Sequence, residues 1–220
     1  MVVHLYGNDM STCTKRVAVT LHEKQIPFQF HPIDFAKAEH KLPDYVAKQP
    51  FGQVPYIEDD GLVVYQSRAI GRYLALKYAS QGTPLIPPTS DITKTVAFEE
   101  AMQIENQEFE PSASKIGIEK LIFPTLVPGY QPDEQAVKAA VNTLGKKLDV
   151  YEKILSKQKF LAGDEITLAD LNHIPWGINL KVCGVDVPEE RPAVSRWWND
   201  VVSRPSVIAF QDGFHSIEKY

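Results

Sequence analysis

Apolar and polar positions alternate in short runs over the first part of the chain and recur at three- and four-residue steps over the rest. Val2-Val3-His4-Leu5-Tyr6-Gly7 and Phe28-Gln29-Phe30-His31-Pro32-Ile33 predict strands. Between them, Val17, Ala18 and Leu21 form the apolar stripe of a helix. Ser11 or a neighbour caps it, and Gln25-Ile26-Pro27 breaks it just after Lys24. A helical stretch follows. Tyr56-Ile57 and Leu62-Val63-Val64-Tyr65 then flank the acidic turn Glu58-Asp59-Asp60-Gly61 and predict a hairpin. Ser67 is placed to cap the next helix, whose apolar positions are Ile70, Tyr73, Leu74 and the Lys77-Tyr78 step.

The order strand, helix, strand, helix, hairpin, helix gives a mixed α+β domain over residues 1–79, with a thioredoxin-like pattern. Residues 80–91 are rich in Pro, Gly and Ser and read as a linker. From 92 to 220 helical periodicity takes over and predicts an all-α bundle domain. One helix is expected from Ile92 to about Pro111. A second, over 133–156, carries Val137, Val141, Leu144, Leu148, Tyr151 and Leu155 on one stripe. Thr167 and Asp170 have the spacing of a capping box, with Ile166 and Leu171 as its staple, so Asp170 is read as a cap and not as a catalytic acid. A last helix carries Val194, Trp197, Trp198 and Val201, which Arg204-Pro205 ends.

Composition changes this picture little. The 220 residues are 44% hydrophobic and 23% charged, the profile of a soluble globule. A net charge of −5 gives no electrostatic basis for binding nucleic acid. No run has the length of a membrane span, and the N-terminus lacks the plan of a secretory signal. Cys13 and Cys183 are too few for a disulfide framework, which points to a reducing compartment, and no Cys/His cluster has metal-ligand spacing.

The chemistry concentrates between Phe51 and Arg68. Pro55 sits where a strand should begin, a position that suits a residue lacking an N–H, and proline is the residue type that tolerates a cis bond. A cis Val54-Pro55 bond would turn the Val54 main chain outward, toward an extended peptide-like ligand. One hairpin later, the helix starting at Ser67 offers free N–H groups and a dipole for a carboxylate. A small, charged, peptide-like ligand fits both.

The chain resembles the cytosolic glutathione transferases, specifically the phi class. The resemblance rests on Tyr6-Gly7 with Ser11-Thr12-Cys13-Thr14-Lys15-Arg16-Val17, Leu21-His22-Glu23-Lys24, Glu39-His40-Lys41, Pro50-Phe51-Gly52-Gln53-Val54-Pro55 and Ser67-Arg68-Ala69-Ile70. In the second half it rests on Leu161-Ala162-Gly163-Asp164, Thr167-Leu168-Ala169-Asp170-Leu171, Ile174-Pro175 and the stretch from Arg191-Pro192 through Trp197-Trp198 to Arg204-Pro205.

The resemblance implies glutathione as co-substrate, no metal, and Ser11 as the hydroxyl that stabilises the glutathione thiolate. It implies His40, Lys41 and Gln53 on the glycine carboxylate, Val54 and Pro55 as the pairing edge, and Gln66 and Ser67 on the γ-glutamyl end. Gln66 departs from the usual phi glutamate, so its amide oxygen can accept from the ammonium without carrying charge. Met10, Phe35, Phe109, Ile116 and Phe123 are expected to line the site of an apolar electrophile. The implied reaction is thiolate attack on that electrophile to give a conjugate, with reduction of organic hydroperoxides as a second activity. The implied assembly is a homodimer in the cytoplasm, without nucleic acid or membrane partners. Two other readings stay open. One is a Cys13-based thiol transferase or dehydroascorbate reductase; the other is a non-catalytic ligand-binding relative. Against the first, Ser11 and Cys13 are about 200° apart on a helix and cannot face one sulfur. Cys183 is read as structural, and His4 and His173 as core or surface residues rather than ligands.

Overall fold

The computed structural model describes residues 2–185, 190–208 and 214–220. The chain divides into two compact units, residues 1–86 with 204–220, and residues 87–203.

In the first unit, β1 (Val3–Gly7), β2 (Phe28–Pro32), β3 (Tyr56–Asp59) and β4 (Leu62–Tyr65) form one sheet in the order β2-β1-β3-β4. β1 and β2 run parallel across α1 (Thr12–Glu23), while β1/β3 and β3/β4 are antiparallel. Side chains alternate across the sheet as the pleat requires. Val3, Leu5, Phe28 and Ile57 face one way and pack with Val17 and Leu21 of α1 and with Ile70 and Leu74 of α3 (Ser67–Lys77). Tyr6 and Tyr56 face the other way, stacked with their ring centroids 4.5 Å apart, and Tyr56 packs on Tyr45 of the short α2 (Pro43–Val46). The hairpin turns on Asp60 and Gly61, both at positive φ (53° and 82°), two residues tighter than the acidic turn the sequence suggests.

The C-terminal segment belongs to this unit, not to the helical one. The main chains of Ile217 and Phe28 exchange two hydrogen bonds of 2.8 Å, which gives the outer strand β2 a partner along part of its free edge.

The second unit is helical: α4 (Ile92–Ile104), α5 (Glu110–Gly117), α6 (Phe123–Leu126), α7 (Glu134–Leu155), α8 (Leu168–Leu171), α9 (Ile174–Val182) and α10 (Pro192–Val202). The expected stop at Pro111 does not occur. α4, α5 and α6 run on through two π-helical segments, Glu105–Phe109 and Ile118–Ile122. Each segment ends two residues before a proline, Pro111 and Pro124. The wider π turn makes room for the ring and removes the need for the missing N–H. Asp170 caps α8 as the spacing predicts: it accepts from Thr167 N–H at 2.9 Å and Thr167 Oγ1 at 3.1 Å. The same buried carboxylate also accepts from Leu161 N–H and Trp197 Nε1, each at 2.9 Å. His173 is fully buried, with Nε2 3.0 Å from the Tyr151 hydroxyl and Nδ1 2.8 Å from the Ala169 carbonyl, so it serves the core. The chain turns back at Arg204-Pro205 into the short α11 (Pro205–Ile208), which belongs to the first unit.

Candidate functional site

The sheet register brings the candidate residues to one end of the first unit. Tyr6 pairs with Tyr56 and Tyr56 with Tyr65, while Gly7 pairs with Pro32. The end of β1, the end of β2, the start of β3 and the end of β4 therefore lie side by side, one strand spacing apart. From these four points leave the loop to Ser11, the stretch carrying His40 and Lys41, the Gln53-Val54-Pro55 approach and the Gln66-Ser67 step. Residues spread over 57 positions of sequence are gathered by pairing alone.

Ser11 is the N-cap of α1, with extended backbone (φ −73°, ψ 122°), and its Oγ accepts from Thr14 N–H at 3.3 Å. Oγ thus spends a lone pair on the helix and keeps its hydrogen to give away. The preceding loop is held by Asn8, whose Nδ2 donates to the Ile33 carbonyl at 3.0 Å and whose Oδ1 accepts from Met10 N–H at 3.0 Å. Gly7 lets the loop close, because a Cβ there would come within 2.5 Å of Thr14 Cγ2. Sequence reasoning gave Asn8 no role; its only local signal is a loop asparagine three residues before a cap.

His40 and Lys41 stand on a 3₁₀ turn, Glu39–Lys41. Lys41 Nζ donates to the Gly52 carbonyl at 2.6 Å, which leaves donors over for a carboxylate. Gly52 needs its lack of a side chain: its φ is +56°, and a Cβ would sit 2.9 Å from the His40 carbonyl oxygen. Burial, and then the charge of Lys41, lower the pKa of His40, so near neutrality it offers a neutral N–H. Its Nδ1 is buried without a hydrogen-bond partner among the described residues. Gln53 is exposed while its carbonyl accepts from the Tyr45 hydroxyl at 2.8 Å, and the Val54-Pro55 bond is cis.

Gln66, not Ser67, is the N-cap of α3. It has the unusual backbone pair φ 70°, ψ 108°, and Ser67 becomes the first helical residue. The correction follows from the hairpin: β4 must turn through that backbone kink before the helix can start. Ser67 is buried and its Oγ accepts from Arg16 Nη1 at 2.9 Å. The same nitrogen lies 3.7 Å from Cys13 Sγ. Arg16, 1% exposed, is a site residue that sequence reasoning missed; an arginine abutting the apolar stripe of α1 was its only trace.

The residues expected around an apolar substrate differ in exposure. Met10, Phe35 and Phe123 are exposed. Ile116 is fully buried among the helices, and so unable to meet a substrate. Phe109 is buried with its ring centroid 4.5 Å from that of His173; it lines a cavity of about 370 Å³ inside the helical unit with Leu144, Leu148, Leu180 and Trp197. Among the described residues no group of three or more His, Cys, Asp or Glu is placed to hold a metal, and no helix is long and apolar enough to cross a membrane.

A capped helix, a strand approach with a cis proline and a second helix N-terminus at one sheet end describe a thioredoxin-like peptide-thiol site followed by a helical domain. Comparison with known proteins agrees. Residues 1–76 match the family model "Glutathione S-transferase, N-terminal domain" and residues 116–205 match "Glutathione S-transferase, C-terminal domain". Glutathione S-transferase PARB of Nicotiana tabacum is 41% identical over 220 residues, covering 100% of both chains. The crystal structure of glutathione transferase F7 from Populus trichocarpa superposes with a TM-score of 0.88 at 39% identity, covering 94% of this chain and 96% of that one. Glutathione S-transferase I from maize, solved with an atrazine glutathione conjugate, gives 0.86 at 34% identity, covering 94% and 95%. The chain belongs to the glutathione S-transferase family, within its phi class.

Proposed function

We propose that this chain binds glutathione across the end of its sheet and transfers the thiolate to apolar electrophiles. The γ-glutamyl carboxylate goes to Ser67 and the first N–H groups of α3, and the ammonium goes to the Gln66 amide oxygen. The cysteinyl main chain pairs with Val54, while the glycine carboxylate goes to Lys41, Gln53 and the neutral N–H of His40. The sulfur lies at Ser11. A free thiol ionises near 8.5, so a hydroxyl donor beside a helix N-terminus has to favour the anion. The observation that carries this reading is the polarity of Ser11: its oxygen takes Thr14 N–H, and its hydrogen is left to donate. Met10 and Phe35, exposed on the same unit as Ser11, are the apolar residues of that unit left to meet the electrophile. The conjugate bound by the maize relative is the product of this type of reaction. The same thiolate would reduce an organic hydroperoxide to its alcohol, with two glutathiones leaving as the disulfide and one water released.

A second reading has one observation behind it, the Arg16 donor 3.7 Å from Cys13 Sγ. Assaying Ser11→Ala and Cys13→Ser with 1-chloro-2,4-dinitrobenzene and with a glutathionylated disulfide separates the two. Conjugation lost only in Ser11→Ala supports the proposal; thiol transfer lost only in Cys13→Ser supports the alternative. Glutathione binding without turnover on any electrophile or peroxide would mark a ligand carrier.

The active form is proposed to be a cytoplasmic homodimer. Phe51 is 63% exposed on the first unit, and α4 carries an apolar cleft lined by Val96 and Ile104 among polar neighbours. A twofold axis would set the first unit of one copy against the helical unit of the other and cover both.

A further inference from the structure

Ser67 Oγ has one hydrogen to give and two lone pairs. One lone pair is taken by Arg16 Nη1 at 2.9 Å, and a guanidinium only donates. The direction of this bond is therefore fixed. Among the described residues nothing accepts the Ser67 hydrogen, although the residue is 7% exposed. Arg16 itself is 1% exposed, reached from α1 beneath the start of α3, so it does not touch a ligand lying above Ser67.

From this geometry we infer that Arg16 is the positioning residue that turns the Ser67 hydrogen outward, and so biases this end of the site toward an anionic group. This rests on the glutathione reading above and adds to it. Were Ser67 free to rotate, it would serve a neutral amide as well as a carboxylate, by accepting from the amide N–H. With one lone pair held by a cation, the hydroxyl cannot turn its hydrogen inward, and the positive charge behind it polarises the outward O–H toward an anion. The α-carboxylate of the γ-glutamyl group is the matching partner; an α-carboxamide, which brings N–H donors, is not. The same nitrogen touches Cys13 Sγ, so the two helix starts are tied through one guanidinium.

The test is binding, by calorimetry, of glutathione and of a glutathione analogue whose glutamyl α-carboxylate is an amide, to the wild type, Arg16→Gln, Arg16→Lys, Ser67→Ala and Arg16→Gln/Ser67→Ala. Glutathione should bind Arg16→Gln about ten-fold or more weakly, the scale of a hydrogen bond to a charged group. The amide analogue should bind wild type and Arg16→Gln alike. Arg16→Lys should recover part of the loss, and the double variant should be no weaker than Ser67→Ala. In turnover the loss should fall on KM for glutathione and leave kcat nearly unchanged. Equal losses for both ligands, additive losses in the double variant, or no loss at all would overturn the inference. If Arg16→Gln does not fold, Ser67→Ala decides: removing the hydroxyl must weaken glutathione more than the amide. A wild type that binds neither ligand would instead refute the glutathione reading itself.

Discussion

Arg204 closes a two-point fork on Glu23 across 181 residues of sequence, Nε to Oε1 at 2.5 Å and Nη2 to Oε2 at 2.6 Å. Ser206 Oγ adds a bond of 2.5 Å to Oε1 and Thr83 Oγ1 one of 2.7 Å to Oε2. One buried carboxylate at the end of α1 thus gathers the segment after α3 and the returning C-terminal segment onto the sheet domain. Gly82 follows the same path, so close that a Cβ would lie 2.4 Å from the Glu23 carbonyl oxygen.

This cluster has a pH signature. Burial pushes the Glu23 carboxyl up, but the bonds from Arg204, Ser206 and Thr83 outweigh it and hold the group below its ordinary 4.5. A carboxyl depressed in the folded state stabilises fully above its unfolded value and loses that contribution as pH falls through the folded value. Urea midpoints should therefore drop on acidification below 4.5 in the wild type and drop less in Glu23→Gln. At neutral pH Glu23→Gln should cost on the order of 3 kcal/mol, because it removes the carboxylate charge from a part-buried two-point ion pair.

Asp170 makes the corresponding case in the helical unit. Four donors, from Leu161, Thr167 (two) and Trp197, converge on its two oxygens. Asp170→Asn keeps the shape but turns an NH₂ toward donors, so it should lose about 2–4 kcal/mol in denaturant unfolding. Catalytic constants per folded molecule should be unchanged. A large loss of kcat in a protein that remains folded would make the carboxylate more than a cap.

Phe51 should report on assembly. Replacing it with Asp places a charge on an otherwise exposed ring, a change that costs a monomer little. Light scattering should show a dimer for the wild type and a monomer for Phe51→Asp. A wild-type monomer, or an unaltered variant dimer, would contradict the proposed twofold pairing.

Much of the sheet domain was legible in the sequence because its signals are local. The Ser11 cap and the acidic hairpin turn, and in the helical unit the Thr167/Asp170 box, each lie within a few residues of what they control. The cis Val54-Pro55 bond was legible for the same reason. What the sequence did not reveal depends on distant partners. Pro111 reads as a helix stop unless the π segment before it is known. Ser67 reads as a cap until the kink at Gln66 takes that place. Phe109 and Ile116 look like any apolar pair at helical spacing, and only packing shows them turned into the core. Arg16 acts across 51 positions, and Arg204 across 181, beyond any window of periodicity.

The account turns on the Ser11 hydroxyl lending its hydrogen to a bound sulfur. Thiolate absorbance of the glutathione complex, titrated against pH in the wild type and in Ser11→Ala, tests this directly. The bound thiol should ionise well below the free value of about 8.5 in the wild type and return toward it in the alanine variant. The same apparent pKa in both proteins would contradict the account.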